Sequence, residues 1–413
     1  MPRLHRDLAT WLIYLQLGLW GYFNYGFGPV MPLLRDEQHT SAAAASLHST
    51  AIAVGAVLGG ALYPVLSRRY GRGAVLWGGQ GVIALGVLGF VTLPARYPVT
   101  LALTALIAVA GIAMIGGIVA ALSDRHGPAG PAAISEANAV CCAAGLLAPL
   151  AVGATMRAGL GWRTGFGLLV GLIVLLALVA YLRRISVAGG PAVAPAADTA
   201  PRRPLPRAYW LAWSMMTLTG AVEVVLSMWA ASVLRDRAGM SPGVATAVMS
   251  AVVAGMFIGR LGGARIALRV RSIPLYLCAL AVSLAGFALF WSATGPVVAV
   301  AGLAVLGLGN AMHYPLAIGL ALGAAAGQAD RAAGVASYSM AVSFGAGPLA
   351  LGLVADQVGP HTAFLLIPLL LTAAATLALR LTPPTPAPAP APLPGWGAGS
   401  VFAGEGYAVG EGE

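Results

Sequence analysis

The chain has 413 residues, of which 59% are hydrophobic and only 9% charged. Soluble domains carry roughly 25% charged residues, so this composition cannot build a water-facing shell. It excludes soluble enzymes and most nucleic-acid binders despite a formal charge of +10. The mean hydropathy of +0.85 points the same way.

A membrane-spanning helix needs about 20 mostly apolar residues. Twelve such segments are predicted in chain order, at 9–34, 42–66, 74–94, 98–122, 132–155, 162–182, 209–234, 243–264, 272–293, 296–322, 332–355 and 361–381. The first follows Arg3 and Arg6 but is too long for a signal-peptide core and contains Asn24 and Pro29, so it reads as a retained span. The predicted fold class is an all-α membrane protein of twelve transmembrane helices in two pseudo-symmetric six-helix halves, 1–182 and 209–381. A polar, Pro-rich linker, 183–208, joins them, and a Pro/Gly-rich tail, 382–413, is expected to be disordered.

All 23 basic residues are arginine, a compositional bias that carries no signal of phosphate recognition. Without lysine there is no Walker-type nucleotide loop. The three cysteines Cys141, Cys142 and Cys278 lie in apolar runs, which excludes a disulfide framework or a metal site, and no cofactor is expected. With the N-terminus inside, 17 arginines fall on inner segments and 6 on outer ones. This asymmetry predicts an inner-membrane protein with both termini cytoplasmic.

The halves repeat. PLAVG from Pro149 matches PLALG from Pro348, and Arg163-Thr164-Gly165-Phe166 aligns with His361-Thr362-Ala363-Phe364. GIAM from Gly111 matches GNAM from Gly309. A parallel repeat of two six-span halves is a secondary-transporter architecture with its site near the midplane. On these residues the chain resembles the major facilitator superfamily. The loop after the second span, Pro64 to Arg72, keeps Arg69, Gly71 and Arg72 of the family's signature, with Pro64 and Arg68 where its Gly and Asp stand. Gly259-Arg260 resembles the inner end of its eighth span. The resemblance implies alternating access and a gating role for Arg69, Arg72, Gly259 and Arg260.

A looser similarity links the chain to the fucose–proton symporter group: Leu19-Trp20-Gly21 with Asn24, Asn138 with Gly145, Gly220-Ala221-Val222-Glu223 with Trp229, and Pro315 after Met312, His313 and Tyr314. That group carries acids in its first and fourth spans. Here Gly28 stands near the first position and Gly116, Gly117 and Ile118 near the second.

Of 13 acids, only Glu136 and Glu223 fall within spans. An intramembrane carboxylate costs at least ~2.5–3.5 kcal/mol, so it faces a partner or a wet cavity, or stays protonated. Glu223, midway along the seventh span with Ser227 one turn on, is the leading candidate for proton coupling. Glu136 is a second candidate, or an interfacial acid paired with Arg125 or Arg331. His313, i,i+3 from Asn310 and beside Tyr314, is a third, expected to face the cavity as a proton carrier or substrate hydrogen-bonder, with Asn310 and Tyr314 as further substrate-binding candidates. His48 is expected near solvent.

Trp20, Asn24 and Phe27 share one helical face that suits a sugar-like solute, and Met114, Tyr338 and Phe344 are further lining candidates. Gly55, Gly59 and Gly60, with Gly255, Gly259 and Gly263, have small-xxx-small spacing, expected where helices slide as the halves rock. The expected function is secondary transport of a small polar organic solute, proton-coupled, by a monomer whose partners are its solute, protons and the lipid bilayer. A proton-antiport exporter of drugs or lipophilic metabolites is the alternative, and a channel or receptor the competing class.

Overall fold

The structure is a computed structural model that describes residues 6–126, 130–185, 204–267, 269–325 and 329–381. Most of the 183–208 linker and the whole 382–413 tail lie outside the described residues. Among the described residues all regular structure is helical.

The first half holds α1 (Leu8–Gln38), α2 (Ala42–Tyr70), α3 (Arg72–Thr92), α4 (Tyr97–His126), α5 (Gly130–Arg157) and α6 (Trp162–Leu182). The second holds α7 (Arg207–Ala238), α8 (Pro242–Val248), α9 (Ser250–Ala267), α10 (Ser272–Ser292), α11 (Pro296–Asn310), α12 (His313–Gly323), α13 (Ala329–Val358), α14 (Pro360–Ala363) and α15 (Leu366–Leu379). Taking α8 with α9, α11 with α12 and α14 with α15, these are the twelve predicted spans. Eleven are long and apolar enough to cross a membrane. The other, α1, has 31 residues, enough at 1.5 Å per residue to span. Its apolar character is diluted by Gln16, Asn24 and several tyrosines.

Three spans expected as single helices are broken. The tenth stops at Asn310 and restarts at His313. Pro315 has no N–H for the carbonyl of Ala311 four residues back, and its ring crowds that carbonyl. The twelfth breaks between Ala363 and Leu366, where Pro368 does the same to Phe364. The eighth is interrupted at Met249.

Helix ends follow local chemistry. The Asp7 side chain accepts from the Thr10 amide at 2.9 Å and caps α1. Ser41 caps α2 through the Ala44 amide at 3.1 Å. Gly161 (φ 78°) and Gly359 (φ 82°) turn the chain into the sixth span of each half through left-handed backbone that only glycine adopts readily. They are 198 residues apart, the offset of the GIAM and GNAM repeat.

Packing repeats as well. In each half the first span lies on the fifth (α1 on α5, α7 on α13), the second on the fourth (α2 on α4, α9 on α11), and the third on the sixth (α3 on α6, α10 on α15). The glycine stripes take part in this internal packing. Gly55 and Gly59 meet the backbone of α4 at Ala105 and Val109, and Gly255 and Gly259 meet α11 at Ala304 and Leu308. Gly263 faces the Met312 side chain, and Gly60 faces open space.

The halves meet through α2 on α13, α5 on α8 and α9, and α1 on α7. Arg235 donates to Asp36 at 2.7 Å, and the Ala42 and Ala43 amides donate to Asp356 at 2.8 and 3.0 Å. Ser250 donates to the Leu146 carbonyl at 3.1 Å, and Ser49 and Thr50 to the Phe344 and Gly345 carbonyls at 2.6 and 3.0 Å. All lie between the midpoint and the end where α1 finishes. At the other end Arg6 pairs with Glu136, Arg125 with Asp7 and Arg72 with Asp124 in the first half, and Tyr209 with Ala332 in the second. Among the described residues the halves are thus clasped at the Asp36–Arg235 end, and on the other side of the midpoint Arg260 on α9 donates across to Cys142 Sγ on α5 at 2.9 Å.

Candidate functional site

Where α1 and α7 cross, Gly28 touches Ser227, and a Cβ on Gly28 would collide with the Ser227 hydroxyl and carbonyl. Around this crossing lies a small cavity lined by Asn24, Tyr25, Phe27, Gly28, Ser49, Ile52, Glu223, Val224, Ser227, Met228, Met340 and Phe344. Its free volume is about 40 Å³. A second space of about 20 Å³ shares Tyr25, Glu223 and Ser227 and is closed by Pro29 and by Met249, Val252, Val253 and Met256. Small-molecule pockets occupy roughly 300–1,000 Å³, so this is a closed-down central site with no room for a sugar-sized solute. Glu223 is the one charged residue among the described residues lining either space.

Four of the residues picked from sequence meet here: Asn24, Phe27, Glu223 and Phe344. Asn24 and Glu223 are partly accessible. Phe27 is buried, its ring 5.3 Å from Phe23 and 6.0 Å from Phe90. Glu223 is held by neighbours from two helices. Asn310 on α11 and the Arg260 guanidinium on α9 lie near enough to act on it electrostatically, while Asn310 Nδ2 donates to Met256 Sδ at 3.8 Å. Arg260 Nη1 donates to Cys142 Sγ on α5 at 2.9 Å.

Arg260, expected as a gate at the inner end of the eighth span, stands on α9 and lines neither space. Gly259, expected with it as a gate, packs on Leu308 and Ala311. Asn310 and His313 form a buried chain behind Glu223: His313 Nδ1 lies 3.0 Å from Asn310 Oδ1 and Nε2 lies 3.2 Å from the Ser283 hydroxyl. His313 is 1% exposed and lines neither space, so it stands behind the site and does not face the cavity as expected.

The other candidates lie elsewhere. Trp20 shares a helical face with Asn24 in projection, yet its ring is 7% exposed. It fills the surface of α4 at Gly111, where any side chain would collide with it. Met114 is fully buried against α3 at Gly79. Tyr314 and Tyr338 are 38% and 54% exposed and line neither space. Glu136 sits at the end of the first half, where Arg6 donates to both its oxygens at 2.8 and 2.5 Å and the Tyr14 hydroxyl adds a bond at 3.2 Å. Its partner is therefore Arg6. Arg125 is taken by Asp7, and the side chain of Arg331 lies outside the described residues. Arg72 pairs with Asp124, and Arg69 lies 5.3 Å over the Tyr70 ring, so both contacts stay inside one half. His48, expected near solvent, is buried, with Nδ1 3.1 Å from the Ala45 carbonyl and Nε2 2.9 Å from the Thr100 hydroxyl.

The sequence reading missed Tyr25, Ser49, Ile52, Met228 and Met340. Tyr25 and Val224 stand 199 residues apart, so the repeat offset that pairs Asn24 with Glu223 could have found both. Ser49 lies in an Ala/Ser run with no local signal.

Outside the spans, Asp7 is the clearest electrostatic feature. Its bond with Arg125 holds the carboxyl well below the usual carboxylate range; partial burial opposes this and the Thr10 bonds assist it.

The family profile described as Major Facilitator Superfamily matches residues 9–341. No curated protein sequence matches the chain. Among solved structures, the chain is similar to a D-xylose-proton symporter, with TM-score 0.74 and 15% identity over 91% of this chain and 97% of that one. It is also similar to a bacterial homolog of the human lysosomal transporter Spinster in an inward-facing, unoccupied conformation, with TM-score 0.73 and 14% identity over 90% and 96%. The nucleoside transporter NupG aligns with TM-score 0.69 and 14% identity over 90% and 97%. Identities this low establish a shared fold alone.

Proposed function

The chain belongs to the major facilitator superfamily, a multi-pass membrane transporter, and we propose that it is a proton-coupled secondary transporter of a small polar organic solute. The observation that supports this is the position of Glu223, the one charged residue lining the central spaces among the described residues, at the crossing of the two halves. A carboxyl there can hold a proton while the site is closed and exchange it when either end opens.

The solute binds between Asn24, Tyr25 and Ser227 on the polar side and Phe27 and Phe344 on the apolar side. Hydroxyl groups suit the amide and the serine, and ring C–H faces suit the phenylalanines. With Trp20 turned away, the sugar-like reading rests on these two rings. The protein works as a monomer in the inner membrane with both termini cytoplasmic, in keeping with its arginine distribution. On that orientation the clasped end faces outward. A second reading, export of a lipophilic solute by proton antiport, is favoured by Met228 and Met340 in the same lining.

Reconstitution into proteoliposomes tests the reading. An imposed pH gradient should drive accumulation of a polar solute, and counterflow should persist without the gradient. Accumulation indifferent to the pH gradient would remove proton coupling. Flux without counterflow would indicate a channel.

A further inference from the structure

The first half carries an apolar groove that the central site does not use. α2 and α3 each pack along α4 but touch each other far less. Between them, with α4 as the floor, lies a space of about 340 Å³. Leu66 and Tyr70 on α2, Ala74, Gly78 and Val82 on α3, and Leu106 on α4 line it. Tyr70 and Leu106 are exposed, so the groove opens at the protein surface. Glycine leaves part of the room, since a Cβ placed on Gly78 would meet nothing. Along α3 the lining runs from Ala74 to Val82, about 12 Å at 1.5 Å per residue. Half the hydrocarbon core of a bilayer is about 15 Å, so the groove has the depth of one leaflet.

The mouth of the groove is cationic. Arg68 and Arg69 are exposed at the end of α2, and the Arg69 guanidinium lies 5.3 Å over the ring of Tyr70. Across the turn at Gly71, Arg72 opens α3 and is paired with Asp124. Arg68 and Arg69 have no carboxylate partner among the described residues. No side chain caps the N-terminus of α3, which adds its own partial positive charge. An apolar channel one leaflet deep, ending in two unpaired arginines, is complementary to a molecule with an apolar chain and an anionic head.

We propose that this groove binds one anionic phospholipid, with an acyl chain between α2 and α3 and the phosphate on Arg68 and Arg69. Tyr70 stands at the boundary between the two, the level at which aromatic side chains meet headgroups. A zwitterionic lipid brings its own cation to the same mouth. An anionic one leaves its charge free for the guanidinium groups, and basic pockets between helices select such headgroups. A helix of a second chain needs more room, because one turn about 10 Å across and 5.4 Å high already exceeds the space. The site is separate from Glu223 and stands whichever solute is carried.

The test uses the delipidated full-length protein in detergent micelles, titrated with dioleoyl-phosphatidylglycerol and dioleoyl-phosphatidylcholine and read by native mass spectrometry. The first phosphatidylglycerol should bind at least about 10-fold more tightly than phosphatidylcholine. Arg68→Gln and Arg69→Gln should each weaken that first binding event by about 5-fold, the worth of one arginine near an anionic headgroup. Gly78→Leu fills the groove without a collision and should remove the event while both arginines remain. Glycerol 3-phosphate, a head without chains, should not compete. If Gly78→Leu fails to fold, the lipid comparison and the arginine variants decide. Equal binding of the two lipids overturns the proposal, as does phosphatidylglycerol affinity unchanged in the double arginine variant or in folded Gly78→Leu. Displacement by glycerol 3-phosphate overturns it in favour of a soluble phosphate site. A dimer that Gly78→Leu dissociates overturns it in favour of a second copy of the chain. Binding is read without transport, so each of these outcomes leaves proton coupling standing.

Discussion

Asn24 and Glu223 line the same cavity from α1 and α7, separated by the 199 residues that also separate Asp36 from its ion-pair partner Arg235. Gly28 and Ser227, which touch at the crossing, have the same separation. The two halves thus bring equivalent positions of one repeated helix face to face, and an amide on one side meets a carboxyl on the other.

Replacing that carboxyl is the most direct experiment. Glu223→Gln should abolish pH-gradient-driven accumulation and leave counterflow intact, because a neutral amide mimics the protonated acid and cannot release the proton. Unchanged accumulation in proteoliposomes would exclude Glu223 as the carrier.

Asn24→Ala should weaken solute binding by roughly 2–10-fold, the worth of one neutral hydrogen bond. Trp20→Phe, away from the cavity, should leave affinity unchanged. Affinities from competition in counterflow would compare the two, and an effect confined to Trp20 would contradict the placement of the site.

Gly28→Ala should disturb the clasped state, since the added methyl meets the Ser227 hydroxyl and backbone. Overpacking of this kind costs about 1–3 kcal/mol. The expected readouts are a lower melting temperature and faster maleimide labelling of a cysteine placed at Ser227. Wild-type values for both would show that the helices separate freely there.

Asp7 provides a pH dependence outside the membrane. A carboxyl depressed in the folded protein contributes stability that is present above its unfolded pKa of about 3.9 and is lost as pH falls through its lower folded value. Asp7 is 40% exposed and Arg125 35% exposed, so the pair contributes at most about 1 kcal/mol. Asp7→Asn keeps a capping oxygen and loses the charge, whereas Asp7→Ala loses the cap as well, costing about 1 kcal/mol more. Thermal melts from pH 7 downward should show the wild type converging on Asp7→Asn only in strongly acidic buffer. Convergence already at pH 5 would mean that Arg125 does not hold the carboxyl.

Twelve spans, their division into two halves and the repeat offset were legible in the chain. In lipid a backbone must satisfy its own hydrogen bonds, so a long apolar run can only be a helix, and short breaker-rich loops mark its ends. Glu223 was legible for a related reason, because an acid in such a run needs a purpose. The neighbours of Glu223 were not. Trp20 and Asn24 share a face on one helix, but a glycine on α4 leaves a socket for the indole and turns it from the cavity. Arg260 reads as the end of a span, and that its guanidinium meets Cys142 on α5 of the other half is decided only by packing. His313 reads as a cavity residue, yet Asn310 and Ser283 satisfy both its nitrogens inside the bundle. Spacing along a helix defines which residues share a face. Which face meets a cavity, a neighbouring helix or lipid depends on residues of other helices, and that is set only when the helices pack.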